Sequence, residues 1–176
     1  MLANVNGGRR GTSWRIVGWG FAACLLLTPA VAMLFTDEVK WTGSDFVFAG
    51  VLIGAVGLVI EAAARMSRDP AYRGGMAAAA LAAFLIVWIN AAVEMIGDDN
   101  PYNLLFGLPI AVAGVGALLA RFGAAGMARA MVAAAVMHGL VAVGGMSTAV
   151  FDGLLSLIFA APWLLSAWLF GRAARR

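Results

Sequence analysis

Long apolar runs separated by short polar connections make up most of this chain. Each run holds about 20 residues, which is enough for a helix to cross a hydrocarbon core of about 30 Å. The pattern therefore predicts an all-α polytopic membrane protein, a bundle of six transmembrane helices joined by short loops. The predicted spans lie at about residues 16–35, 46–64, 76–96, 104–120, 127–146 and 151–170.

Two polar segments flank the predicted bundle: an N-terminal tail at residues 1–15 and a basic C-terminus at residues 172–176. The first apolar run has a second interpretation, because Ala30-Val31-Ala32 resembles the small-x-small site at which signal peptides are cleaved. Apolar residues continue beyond this site through Phe35. We therefore expect the segment to be retained as the first membrane helix.

Composition supports a membrane location. Hydrophobic residues make up 63% of the chain and charged residues 12%, whereas roughly 25% charged residues are usual in a soluble domain. The basic residues flank apolar runs and do not form one aqueous patch, so the lipid bilayer is the expected partner and nucleic acid is not. The single Cys24 excludes a disulfide within one chain.

Basic residues are distributed unequally between the two sets of connections. Because Lys and Arg in short loops remain on the cytoplasmic side, their distribution sets the orientation of a membrane protein. With the N-terminus inside, eleven of the twelve basic residues are cytoplasmic, and only Lys40 is outside. This pattern predicts that both termini lie in the cytoplasm. The eleven are Arg9, Arg10, Arg15, Arg65, Arg68, Arg73, Arg121, Arg129, Arg172, Arg175 and Arg176.

The most polar stretch is residues 87–103, VWINAAVEMIGDDNPYN. Asn90, Glu94 and Asp98 are four residues apart, so a continuous helix would place them on one face. Together with Asp99 and Asp45 they form the candidate polar or ion site. Two interpretations of Glu94 are open: a carboxylate that attracts a cation or proton, or a solvated interfacial carboxylate without such a role.

Other polar residues have simpler interpretations. Asn90 fits a hydrogen bond between helices better than a ligand site. The sequence Asn100-Pro101, with Asn103, predicts the turn between the third and fourth helices. Glu61 precedes Arg65 by four residues, which predicts a local ion pair on the helix surface.

His138 is the only histidine and lies near the middle of the fifth run. Haem, copper and quinone sites can use a membrane histidine. However, the chain has no second histidine and no CxxCH motif. We therefore expect a hydrogen-bonded packing residue and no cofactor or metal, with ligation as the weaker interpretation.

Similar short sequences follow two of the apolar runs: GGMAAAA at residue 74 and ARAMVAAA at residue 128. Duplication of a helical hairpin would explain this likeness. Constraints on span length and alanine-rich composition explain it without duplication. We favour that interpretation and leave duplication open.

Three segments, FTDEVKWTGSDFVFAGVL, VWINAAVEMIGDDNPYNLLFG and ARFGAAGMARAM, resemble a family of small multi-pass bacterial inner-membrane proteins known only as hypothetical proteins. The resemblance covers roughly residues 25–145. It implies location in the bacterial inner (cytoplasmic) membrane and a multi-pass topology, and it adds no activity. In that family the position of Glu94 is usually small and uncharged. The matching residues are Asp37, Glu38, Trp41, Asp45, Trp88, Asn90, Asn100, Pro101, Asn103 and Arg121.

Three function classes remain in consideration. Short loops and the lack of nucleotide-binding or hydrolase motifs favour a non-catalytic accessory or oligomeric component of a membrane assembly, with a homo-oligomer or another membrane subunit as partner. A small transporter or channel for a cation, proton or small solute would use the acidic residues as a vestibule. An enzyme acting on a lipid or quinone would need a lateral polar cavity that reaches His138 or Glu94.

Overall fold

In a computed structural model of the protein, the backbone is described for residues 6–176 and the side chains for residues 14–176. The described residues form helices and turns without a β-strand. The α-helices are α1 (Asn6–Ala32), α2 (Gly43–Met66), α3 (Pro70–Ala92), α4 (Gly107–Leu119), α5 (Ala124–Gly145), α6 (Val150–Ser156) and α7 (Ala161–Ala174), with 3-10 helices at Pro101–Phe106 and Leu157–Ala160.

Six helical segments in the described part of the chain are long and apolar enough to cross a membrane. The predictions of an all-α chain and of six apolar helices are therefore confirmed. The segments are Trp14–Ala32, Gly43–Met66, Pro70–Ala92, Pro101–Leu119, Ala124–Gly145 and Val150–Ala174. The predicted tail at residues 1–15 lies mostly outside the described side chains, as do Arg9 and Arg10. Helix α1 begins at Asn6, before the apolar run starts.

The chain divides into two compact units, Met1–Leu58 and Val59–Arg176, with the boundary inside α2. In the first unit, α1 packs along α2 at two glycines. A Cβ atom added at Gly57 would lie 2.8 Å from the Trp19 ring, and one at Gly50 would lie 3.6 Å from Leu26. These positions show that the two helices run antiparallel. Many large apolar side chains of this unit are exposed, among them Phe21, Leu27, Phe35 and Val51.

The second unit is organised around α5. This helix packs against α4, α7, α6 and the 3-10 helix Leu157–Ala160, while α3 packs against α7. Small residues allow the close approach: a Cβ atom at Gly116 would lie 2.5 Å from the Cβ of Ala130. Among the described residues, the largest fully buried side chains are Trp163, Phe106 and Phe170, which have at most 1% of their surface exposed.

Two helical segments differ in extent or continuity from the predicted spans. Helix α3 begins at Pro70, not residue 76, because the Asp69 carboxylate accepts a hydrogen bond from the Ala71 amide (2.8 Å) and Pro70 fits the first helical turn. The predicted span 151–170 is not one continuous α-helix. A 3-10 segment precedes Pro162, whose ring nitrogen cannot donate to the preceding turn. The predicted ion pair between Glu61 and Arg65 is present at 2.9 Å.

Candidate functional site

Helix α3 ends earlier than expected, and a strained turn follows it. The helix stops at Ala92, and Val93 is its C-cap. Glu94, Gly97 and Asp99 then adopt left-handed backbone conformations, with φ angles of 57°, 56° and 53°. A left-handed conformation costs a residue other than glycine roughly 1–2 kcal/mol. The predicted helical face shared by Asn90, Glu94 and Asp98 is therefore wrong.

The side chain of Asn103 holds this turn together. Its Oδ1 atom accepts hydrogen bonds from the amides of Met95 (3.0 Å) and Ile96 (2.8 Å), two buried residues. Its Nδ2 atom donates to Glu94 Oε2 (3.1 Å) and to the carbonyls of Ile96 (3.1 Å) and Gly97 (3.3 Å). One amide thus satisfies backbone groups that lost their partners where the helix ended.

Asn100 and Asp152 complete the support of the turn. The Asn100 side chain caps the 3-10 helix by accepting from the Tyr102 amide (3.0 Å), and Pro101 occupies the first turn of that helix. Asp152, at the start of α6, accepts from the Gly97 amide (3.1 Å). We define residues 93–103 as the Glu94 turn. These bonds connect it to the 3-10 helix Pro101–Phe106 and to α6.

Asn90 lies on α3 just before the Glu94 turn. Its Nδ2 atom donates to the Ile86 carbonyl of its own helix (3.0 Å). The predicted hydrogen bond between helices is therefore not the one that forms. The Asn90 Oδ1 atom is buried and has no hydrogen-bond partner among the described residues. A buried amide oxygen without a partner costs free energy, about 1–3 kcal/mol, until a donor reaches it.

An open cleft of about 360 Å³ lies beside the turn. The structure brings three of the candidate residues together in it, while Asp98 is exposed and does not line it. Asp45 belongs to the first unit. Its carboxylate accepts from the amide (2.7 Å) and hydroxyl (2.8 Å) of Thr42, so it caps α2. The cleft is lined by Asn90, Glu94, Asp99, Asn100, Pro101, Asn103 and Leu104.

His138 has no exposed surface. Its Nε2 atom lies 2.9 Å from the Ser156 carbonyl oxygen, which can only accept, so the proton is on Nε2. The Phe106 ring packs against the imidazole at 5.4 Å between centroids. In the part of the chain that the structure describes, no group bonds to the buried Nδ1 atom. The described residues form no group of His, Cys, Asp or Glu suited to a metal ion.

No protein-family model, characterised protein or solved structure matches the chain. The chemistry of the cleft is therefore the guide to what it can do. Carboxylate and amide oxygens suit hard cations and hydrogen-bond donors. Two carboxylates, Glu94 and the more exposed Asp99, line the cleft.

The sequence interpretation missed three hydroxyl groups that join distant segments. Tyr102 donates to the Val141 carbonyl (2.7 Å), Tyr72 to the Phe122 carbonyl (2.9 Å) and Ser166 to the Gly75 carbonyl (2.7 Å). The signal available in the sequence was a lone hydroxyl in an apolar run, such as Ser166 in APWLLSAWLF. Which carbonyl each hydroxyl reaches depends on the packing of the helices.

Proposed function

We propose that this protein is a multi-pass protein of the bacterial inner membrane, with both termini in the cytoplasm, and that it acts as a non-catalytic accessory or oligomeric subunit of a membrane assembly. Six apolar helices support the membrane location. The bias of eleven basic residues toward one side supports the orientation. The resemblance to small multi-pass inner-membrane proteins supports the same location.

The orientation has a direct test. In a Cys24→Ser background, a single cysteine is placed at the exposed residue Ser147, between α5 and α6, or at the exposed residue Arg68, between α2 and α3. A membrane-impermeant maleimide added to cells with a permeabilised outer membrane should label position 147. It should label position 68 only after the inner membrane is lysed. The reverse pattern would overturn the orientation.

One observation carries the subunit role: the polar side chains in the core make hydrogen bonds to backbone carbonyls. Among the described residues, His138, Ser156 and Ser166 are the buried polar side chains. They bond to the carbonyls of Ser156, Gly153 and Gly75, respectively. Polar groups used in this way hold a bundle together, which favours a structural role over a conducting or catalytic one.

Few of the described residues of α1 and α2 are buried, which leaves these helices available for contact with helices of a partner. No residue of the Trp14–Ala32 segment is buried, and only 11% of the most apolar window of α2 is buried. Lipid and neighbouring membrane helices can both cover these residues. The subunit role predicts that the chain purifies in mild detergent with a fixed number of copies of itself or of another membrane protein. A chain that is monomeric at every protein-to-detergent ratio would contradict it.

A second candidate, a carrier for a cation, proton or small solute, is favoured by the cleft. Asn90, whose buried Oδ1 atom has no hydrogen-bond partner among the described residues, lines this cleft together with Glu94. This function predicts flux in proteoliposomes that falls at least tenfold in Glu94→Gln and Asn90→Ala. Asp98→Asn is the matched control, because Asp98 is exposed and does not line the cleft. Equal flux in all variants would exclude the cleft as the transport site.

A further inference from the structure

A second cavity, of about 480 Å³, forms a groove between α5 and α7. It is distinct from the cleft beside the Glu94 turn, and none of its lining residues belongs to the candidate site. Its chemical character comes from Arg129 and Val132 on α5, from Leu164, Trp168 and Gly171 on α7, and from Arg175, the residue that caps the end of α7.

The groove follows one face of α7. Leu164, Trp168, Gly171 and Arg175 recur at intervals of three or four residues, which is the period of a helical face. From Leu164 to Arg175 the face extends about 16 Å, at 1.5 Å per residue. Gly171 has no side chain to occupy the groove. A Cβ atom added there would contact only the Arg175 guanidinium, at 3.6 Å.

Positive charge is concentrated where α5 begins and α7 ends. Arg129 and Arg175 both line the groove, and no carboxylate lines it. By contrast, Arg65 pairs with Glu61 and Arg176 pairs with Asp69. A third cation lies next to the groove, because the Arg172 guanidinium stacks over the Trp168 ring at 4.9 Å.

We propose that this groove binds one anionic phospholipid. Its phosphate would lie at Arg129 and Arg175, and an acyl chain would lie along Val132 and Leu164. The apolar face calls for a hydrocarbon chain, and the excess positive charge calls for an anionic headgroup, so a lipid fits better than a free anion. A zwitterionic headgroup is disfavoured because its ammonium would have no carboxylate partner. The inference rests on the membrane location in the proposed function.

The test is a lipid titration of the full-length protein in a neutral detergent, followed by native mass spectrometry. Phosphatidylglycerol and phosphatidylcholine with identical acyl chains are compared. We expect phosphatidylglycerol to bind at least tenfold more tightly. Each arginine near a headgroup contributes about 1 kcal/mol, so Arg129→Gln or Arg175→Gln should weaken phosphatidylglycerol binding about fivefold and the double variant about 25-fold. The control is Arg68→Gln with Arg121→Gln, which removes the same charge outside the groove and should retain the preference.

A second pair of variants tests the groove itself. Gly171→Leu fills its floor and should weaken the binding of both phospholipids about tenfold. Gly139→Leu adds the same side chain elsewhere, on α5, where an added Cβ meets nothing within 4 Å, and should leave binding unchanged. Glycerol phosphate, which has the charge but no acyl chain, should not compete at a hundredfold excess over lipid.

Three outcomes would overturn the proposal: no preference for the anionic lipid, an equal loss in the Arg68 and Arg121 control, or effective competition by glycerol phosphate. The cysteine labelling described above separates this failure from failure of the proposed function. If the labelling pattern is as expected and the lipid preference is absent, only the groove assignment is wrong. If the labelling shows no membrane insertion, the membrane location and the lipid groove are both wrong.

Discussion

Two polar regions of the Val59–Arg176 unit use their polar groups in opposite ways. In the Glu94 turn, the Asn103 amide and the Glu94 carboxylate are bonded to each other and to the surrounding backbone. In the groove between α5 and α7, the Arg129 and Arg175 side chains line a cavity that contains no carboxylate. In the first region these polar groups bond to one another and to the backbone. In the second, the arginines are available to a ligand of negative charge.

The difference indicates where stability and binding reside. A polar group bonded inside the fold stabilises it, and removing one partner leaves the other unsatisfied. An exposed charge without an internal partner contributes little to folding, yet it can bind an external ligand of opposite charge. Variants of the two regions should therefore have different phenotypes, one in unfolding and the other in ligand binding.

The largest effect on stability is expected for Asn103→Ala. The change removes the acceptor for the Met95 and Ile96 amides and the donor to Glu94. Two buried amides without partners should lower the free energy of unfolding by about 3 kcal/mol. Denaturant unfolding in detergent micelles, followed by tryptophan fluorescence, measures this loss of unfolding free energy.

Asn100→Ala is the control for that prediction. Its side chain makes one capping bond, to the Tyr102 amide. The expected loss is about 1 kcal/mol. Equal losses for the Asn100 and Asn103 variants would mean that Asn103 does not hold the turn in the way its geometry indicates.

A smaller loss is expected for Ser166→Ala. The Ser166 hydroxyl joins α7 to α3 through the Gly75 carbonyl (2.7 Å) and is fully buried. Its removal should cost about 1.5 kcal/mol of unfolding free energy. Ser147→Ala is the matched control, because the Ser147 hydroxyl is exposed and bonds locally to Gly144. An unchanged midpoint in the Ser166 variant would show that this bond does not fix the packing of α7.

The helical class and the six apolar helices could be predicted from the sequence because a membrane span is a summed property of about 20 residues. Errors of one or two residues do not alter such a sum. The end of α3 could not be predicted in the same way. It depends on Asn103, seven residues after Ile96, folding back to accept backbone amides. Between these two residues the backbone is left-handed at Gly97 and Asp99, a conformation that a prediction of continuous helix does not include.

Three of the five residues of the candidate site lie together, but for another reason than the one predicted. Asn90, Glu94 and Asp99 do line one cleft. Their proximity comes from the turn, whereas the prediction attributed it to a continuous helix. Asp45 was included for its charge alone, and in the structure its carboxylate caps α2 through Thr42. A capping box can be read from Thr42 and Asp45 three residues apart, so this correction was accessible from the sequence.

A gain of about 1 kcal/mol is expected for Asp99→Gly. Asp99 has φ 53°, and glycine adopts this conformation without the steric cost that a side chain incurs. Asp98→Gly is the control: Asp98 is not among the left-handed residues, so glycine there should be neutral or slightly destabilising. Chemical unfolding of the parent, Asp99→Gly and Asp98→Gly proteins measures the two changes in the free energy of unfolding. Destabilisation by Asp99→Gly would indicate that the carboxylate contributes more to the turn than the strain costs.

The smallest effect on stability is expected for the double variant Arg129→Gln, Arg175→Gln. Both arginines are exposed, and the groove they line contains no carboxylate. In lipid-free detergent the free energy of unfolding should therefore stay within about 0.5 kcal/mol of the parent. With phosphatidylglycerol added, only the parent should gain stability, because a ligand stabilises the state that binds it. A loss above 1 kcal/mol without lipid would show that these arginines stabilise the fold, and the contrast with the Glu94 turn would no longer hold.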